Sequence, residues 1–267
     1  MKKFVYGLSA VLVAALMFSW MGGEEAVKLS ATDKYKVIKV DGRIIYQKKN
    51  TDMKKGDIFL SGTPLRFHTP QSRAAVISAL KGRYVLSAAE KGQTNILPAA
   101  NNISSRAGAL LNLVDLKNHF TGKYLVIGKM ELELGEEAFP MNEQSFFYLA
   151  YYHNEEKIRK KLSHNGNNLI LDKDEIFKID GSAIPVEEKE MTLFYHKEGQ
   201  SSKIGTFTPV FPDESDLKEE VDIIIAEYSD KDAATKIKEI SAYLGEFYGK
   251  PQKDNLEGWL KIQYDLN

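Results

Sequence analysis

Tyr35-Lys36-Val37-Ile38-Lys39-Val40, then Asp41-Gly42, then Arg43-Ile44-Ile45-Tyr46-Gln47, is the stretch that decides the fold class. Its β-branched and aromatic residues follow a period of two, the spacing of a half-buried strand. Asp-Gly accepts positive φ at a tight turn, so the stretch predicts a hairpin. Working outward, Asp57–Leu60, Leu65–His68, Ala74–Leu80, Arg83–Ser87 and Asn95–Leu97 read as further short strands. Lys55-Gly56, Ser61-Gly62, Pro70 and Lys81-Gly82 separate them. Short strands with turn signals at this spacing predict a small barrel or sandwich over residues 35–98.

Three runs in this region, VDGRI (40–44), MKKGDIFLSGTPLRF (53–67) and SRAAVISALKGRYVL (72–86), share turn glycines and core aliphatics at set intervals. The positions are Val40, Gly42, Gly56, Asp57, Leu60, Gly62, Leu65, Ala75, Val76 and Gly82. In this pattern the segment 35–88 resembles the FecR-type periplasmic β domain, with bacterial SH3-like barrels as look-alikes. The resemblance implies a small extracytoplasmic β domain, and it brings no catalytic residues. FecR-type regulators carry a cytoplasmic segment before their membrane helix. Here only Met1-Lys2-Lys3 precede the apolar run, so a cytoplasmic sigma-factor partner is not expected.

That apolar run extends from Phe4 to Gly23 without a charge, after Lys2-Lys3 and before Glu24-Glu25. Basic before and acidic after predicts an N-terminus in the cytoplasm and a body outside. The run is nearly long enough to span a bilayer. A small-x-small cleavage site is poorly formed, because the third residue before the cut is Met21 for a cut after Gly23 and Glu24 for a cut after Ala26. Residues 1–23 are therefore read as a signal anchor or a signal peptide, and residues 24–34 as a linker.

Beyond the first β region, residues 99–120 form a connector whose Leu110, Leu111, Val114 and Leu116 fit a short helix or a strand. A second β-rich domain is predicted over 121–211. Its strands are Lys123–Ile127, Lys129–Leu134, Ser145–Tyr152, Asn168–Leu171, Glu175–Ile179, Met191–His196 and Lys203–Thr208, with Asn165-Gly166 and Asp180-Gly181 as hairpin turns. The period then changes. Leu217, Val221, Ile224 and Ile225 follow the acidic Asp213–Asp216 run, and Ile237, Ile240, Leu244 and Phe247 precede Gly249 and Pro251. Residues 212–267 thus predict a helical C-terminal segment, with a last helix near Asp254-Asn255. The class is mainly β, α+β overall.

Chemistry is excluded more readily than assigned. Lys+Arg 36 against Asp+Glu 37 gives a net charge of -1, without the basic excess of a nucleic-acid binder. The absence of cysteine removes disulfides, thiolate metal sites and cysteine nucleophiles. His68, His119, His153, His164 and His196 show no H-x-x-x-H or H-x-H spacing. Neither G-x-S-x-G nor a phosphate-cradling loop occurs, and Ser104–Gly108 reads as a plain turn. Glu131 and Glu133 alternate with Leu132 and Leu134, as on a strand with one wet face. Asp172–Glu175 carries only a fragment of a Ca²⁺ loop. No catalytic, cofactor-binding or metal residue is assigned, and no cofactor is expected.

Aromatics are the remaining signal. Phe146, Tyr148 and Tyr152 would share one face of a strand, and Phe147, Leu149 and Tyr151 the other. One face is core, and the second is either core or a platform for a glycan or partner chain. Phe146, Tyr148, Tyr151 and Tyr152 are the candidate binding residues. The sequence thus predicts a non-catalytic bacterial envelope protein, periplasmic and tethered through residues 4–23 or released by cleavage. Its expected partner is another envelope protein or an envelope polymer. A secreted hydrolase using dispersed carboxylates and a subunit of a larger membrane complex are the alternatives.

Overall fold

The computed structural model describes residues 33–89, 94–99 and 109–266. The apolar run 4–23, most of the linker and the Ser104–Gly108 turn lie outside the described residues. Among those described, no helix is long and apolar enough to cross a membrane. The chain is mainly β, with helices concentrated after residue 212.

The first lobe holds β1 (Lys34–Asp41), β2 (Ile44–Tyr46), β3 (Thr51–Asp52), β4 (Ile58–Leu60), β5 (Leu65–Phe67), β6 (Arg73–Ser78), β7 (Gly82–Ala88) and β8 (Thr94–Pro98). They form a five-stranded sheet of order β4-β1-β6-β7-β8 and a three-stranded sheet of order β3-β2-β5. Tyr35, Val37, Ile44, Tyr46, Leu65, Val76, Tyr84 and Leu86 fill the space between the sheets. The expected Asp41-Gly42 hairpin does not form. β1 pairs with β4 and β6, whereas β2 pairs with β3 and β5. Gly42, at φ +76°, instead turns the chain from one sheet to the other. A Cβ there would lie 2.7 Å from Ser72 Oγ, so the corner needs glycine for space as well as for φ.

The second lobe begins with α1 (Leu113–His119), which makes the C-terminal end of the connector a helix, its Asn112 side chain accepting from the amides of Val114 and Asp115, whereas Leu110 bridges Leu134 in parallel. There follow β9 (Gly122–Leu125), β10 (Lys129–Glu133), β11 (Ser145–His153), β12 (Glu156–Lys161), β13 (His164–Asn165), β14 (Asn168–Asp172), α2 (Lys173–Ile176), β15 (Lys178–Ile179), β16 (Ser182–Ala183), β17 (Met191–Lys197) and β18 (Gln200–Val210). The expected strand at Glu175–Ile179 is split: Glu175 and Ile176 close the short helix α2, and only Lys178–Ile179 form a strand, β15. Asp172 caps it by accepting from the Asp174 amide, a use of these acids that needs no Ca²⁺. A six-stranded sheet, β12-β11-β17-β18-β9-β19, in which β19 is Lys250–Pro251 from the C-terminal region, faces the three-stranded β10-β14-β13 sheet. Phe147, Leu149, Leu193 and Phe207 from the first meet Met130, Leu132, Leu169 and Leu171 from the second.

The C-terminal region supplies α3 (Glu214–Glu227), α4 (Ala233–Phe247), β19 (Lys250–Pro251) and α5 (Lys253–Tyr264). Their apolar faces do not form a private core. Leu217, Ile224, Ile240, Leu244 and Leu260 share one cluster with Ile38, Ala75, Ile77 and Val85 of the first lobe and Leu125, Ile127 and Val210 of the second. β19 extends the second lobe's sheet by pairing in parallel with β9. The five-stranded sheet is therefore covered on both faces, which explains the unbroken Ala74-Ala75-Val76-Ile77 run in β6.

A β-bulge between Val37 and Lys39 sets the polar part of this junction. The extra residue leaves Ile38 and Lys39 both facing the helices. Lys39 Nζ then lies 3.2 Å from Glu220 Oε1 and donates to the Tyr248 hydroxyl at 2.8 Å. Tyr243 and Tyr248 donate to Glu220 Oε2 at 2.7 and 2.6 Å. Burial and the adjacent Glu220 push both hydroxyls far above the ordinary tyrosine range, so they remain donors. Arg83, its side chain fully buried, donates to Glu246 at 2.6 Å.

Candidate functional site

β11 and β12 are joined by Asn154-Glu155, both at positive φ, which is the backbone of a two-residue primed turn. That turn fixes the register, and the register sorts the side chains of the six-stranded sheet. Phe147, Leu149 and Tyr151 point into the core. Phe146 and Tyr148 are half-buried on the opposite face, and Tyr152 is 64% exposed. Tyr151 therefore does not belong to the candidate face. It is 2% exposed, and its hydroxyl donates to the Ile176 carbonyl at 2.6 Å, tying β11 to the end of α2.

The register builds cross-strand rows on the outer face. One row runs Lys161, Tyr148, Phe194, Lys203 across β12, β11, β17 and β18. Beside it run Arg159, Ala150, Thr192, Thr206, then Phe146, His196, Ser201, then Lys157 with Tyr152. The register shifts after Leu193, where Ile204 turns into the core and leaves Lys203 opposite Phe194. Tyr148 lies flat on Phe194, with centroids 5.0 Å apart and planes 6° apart. Phe146 stacks on His196 at 4.8 Å. The Lys161 ammonium sits 4.4 Å from the centre of the Phe146 ring, a cation–π contact. His196 Nδ1 is 3.0 Å from Ser201 Oγ.

Lys157, Arg159, Lys161 and Lys203 are all exposed, and no carboxylate occurs in the four rows. None of these cations makes an ion pair among the described residues. A chain of net charge -1 thus concentrates unpaired cations around stacked rings on one sheet face. Such a surface can hold a planar or ring-shaped unit by stacking and an attached anion by charge-assisted hydrogen bonds.

The sequence marked the aromatics of β11 but missed the rest. Glu156–Lys161 was not read as a strand, although Lys157, Arg159 and Lys161 alternate with Ile158 and Lys160 at a period of two. His196 lies on a strand the sequence predicts, but its stacking partner Phe146 is 50 positions away, beyond the reach of any local pattern. Carboxylates elsewhere in the second lobe lie on the surface. Glu131 and Glu133 are exposed on β10, and Glu187, Glu188 and Glu190 are exposed in the segment before β17. Among the described residues, no group of three or more His, Asp or Glu side chains could hold a metal ion. No family profile, curated protein or solved structure matches the chain.

Proposed function

We propose that this chain is an exported, non-catalytic envelope protein that binds an acidic envelope glycan on the outer face of its six-stranded sheet. The observation that carries the reading is the Lys161–Tyr148–Phe194–Lys203 row, a stacked ring pair between two unpaired lysines. The negative face of an aromatic ring attracts the C–H hydrogens of a pyranose ring, and a lysine beside it meets a carboxylate or phosphate on the sugar. Export rests on the sequence, through the charge-flanked apolar run 4–23, which acts as a membrane anchor or a cleaved leader. The first lobe, FecR-like in its turn glycines, serves in this reading as the extracytoplasmic body nearer the membrane.

Affinity electrophoresis of the full chain in gels containing polygalacturonate or neutral dextran tests the site. Polygalacturonate is expected to retard the protein, with retardation weakening as salt rises, and dextran to leave it unretarded. Tyr148→Ala with Phe194→Ala is expected to weaken binding at least about tenfold, given roughly 1 kcal/mol or more per stacked ring. Equal retardation by both polymers, or tighter binding of a single-stranded oligonucleotide, would overturn the reading. Intact-mass measurement of the membrane fraction tests retention of residues 1–23 separately.

A further inference from the structure

An edge strand is an open template for pairing, and folded proteins guard their edges with charges or proline. β12, one edge of the six-stranded sheet, carries Lys157, Arg159, Lys160 and Lys161. β8, one edge of the first lobe's larger sheet, ends in Pro98. The opposite edge of that sheet, β4, is Ile58-Phe59-Leu60, without a charge or a proline. Ile58 is 67% exposed and Leu60 49%.

The hydrogen bonds of β4 have a definite phase. The Asp57 carbonyl accepts from the Val37 amide at 2.9 Å, and the Ser61 amide donates to the Asp33 carbonyl at 2.8 Å. Alternate residues of an antiparallel ladder turn their backbone groups to opposite sides. Asp57, Phe59 and Ser61 therefore face β1, and Ile58 and Leu60 face the open edge. The Leu60 carbonyl is taken by the amide and hydroxyl of Thr63. The Ile58 amide and carbonyl and the Leu60 amide have no protein partner among the described residues.

A groove of about 460 Å³ lies along this edge, and the turn between β2 and β3 lines its other side. Two carboxylates line it, and both are engaged. Asp52 accepts from the Arg43 guanidinium and Asp57 from the Lys54 amide, each at 2.9 Å. Lys48 and Lys49, also in the lining, are exposed and make no ion pair among the described residues. The groove thus combines free backbone groups of a strand, two exposed aliphatic side chains and two free ammonium groups. A second copy of this chain, paired edge to edge, would bring another Lys48-Lys49 pair to the same seam, which like-charge repulsion opposes.

We propose that an extended, acidic peptide segment of a partner protein docks in this groove as an added strand. Its backbone pairs with Ile58 and Leu60, its aliphatic side chains pack beside theirs, and its carboxylates meet Lys48 and Lys49. The site lies on the other lobe from the aromatic face and does not depend on it.

Fluorescence anisotropy of the full chain tests the site with an end-blocked, fluorescein-tagged peptide in which glutamate pairs flank Val-Thr-Val-Thr-Val. Saturable binding that weakens with salt is expected, and the same peptide with lysine for glutamate should bind at least about tenfold more weakly. Ile58→Pro removes an amide that makes no bond to β1. It should leave the unfolding midpoint in place and weaken the acidic peptide at least about tenfold. Lys48→Glu with Lys49→Glu, at exposed turn positions away from the β4 ladder, should reverse the preference toward the lysine peptide. Absence of saturable binding would overturn the proposal, and so would a folded Ile58→Pro protein or a charge-reversed protein that binds like the parent. Loss of binding in the Tyr148→Ala, Phe194→Ala protein would place the peptide on the aromatic face and overturn it too. A parent dimer that Ile58→Pro converts to a monomer would do the same, because a second copy would then occupy the edge.

Discussion

His119 is the last residue of α1 and is only 5% exposed. Its ring contacts the Tyr124 hydroxyl through Nε2, and Lys250 is close enough to repel a second positive charge. A helix C-terminus favours a cation, but burial dominates here and holds the imidazole at about 4 instead of 6.5. Folding therefore favours the neutral ring. Between pH 6.5 and 4 the unfolded chain takes up a proton that the folded chain refuses, so stability falls as pH falls. The loss attributable to this residue at pH 4.5, relative to pH 7.5, is roughly 2.5 kcal/mol. Urea unfolding of the parent and of His119→Gln at the two pH values checks this. The parent should lose that much more stability than the variant, and equal losses would reject the assignment. The burial of His119 was not legible in the sequence, because Tyr124 and Lys250 come from separate strands.

At the scale of elements, the join between α4 and the second lobe depends on one residue. Gly249, at φ +108°, leads the chain from α4 into β19, which pairs with β9 through Lys250 and Pro251. A Cβ at this position would lie 2.5 Å from the carbonyl carbon and oxygen of Lys123. Both the left-handed backbone and the contact with β9 exclude a side chain. Gly249→Ala is expected to cost about 2 kcal/mol or more in denaturant unfolding, and amide exchange should accelerate first in β19 and β9. Unchanged exchange there would mean the junction tolerates the methyl group. The Gly-then-Pro stop after Phe247 was legible from sequence as a helix end. Its second role, as the place where a helical segment re-enters a sheet, depends on β9 lying alongside.

For the whole molecule, the Lys39–Glu220–Tyr243–Tyr248 cluster and the shared apolar cluster around Ile38, Leu125 and Leu244 join both lobes to the C-terminal helices. Removing one member of a buried charge pair leaves its partner stranded. Glu220→Ala strands the Lys39 ammonium and two buried hydroxyls, at an expected cost of about 3 kcal/mol. Because the apolar cluster is common to all three parts, the loss should appear in one transition. Far-ultraviolet dichroism and tyrosine fluorescence should therefore trace the same lowered midpoint. Two separated transitions would show that the lobes unfold independently.

Most strands of both lobes, the three C-terminal helices and the aromatic run of β11 follow from periods of two and 3.6 and from turn glycines. Each depends on residues close along the chain, so the sequence alone determined that this protein is mainly β with a helical end. Tertiary structure decided which strands share a sheet: β1 and β2 part at Gly42, and β18 takes β9 as a parallel neighbour. It also decided that Tyr148 meets Phe194 between Lys161 and Lys203, and that Tyr151 turns away from them. Those pairings join residues tens of positions apart. Which long-range pairing wins depends on burying several apolar faces at once, and no local period encodes that choice.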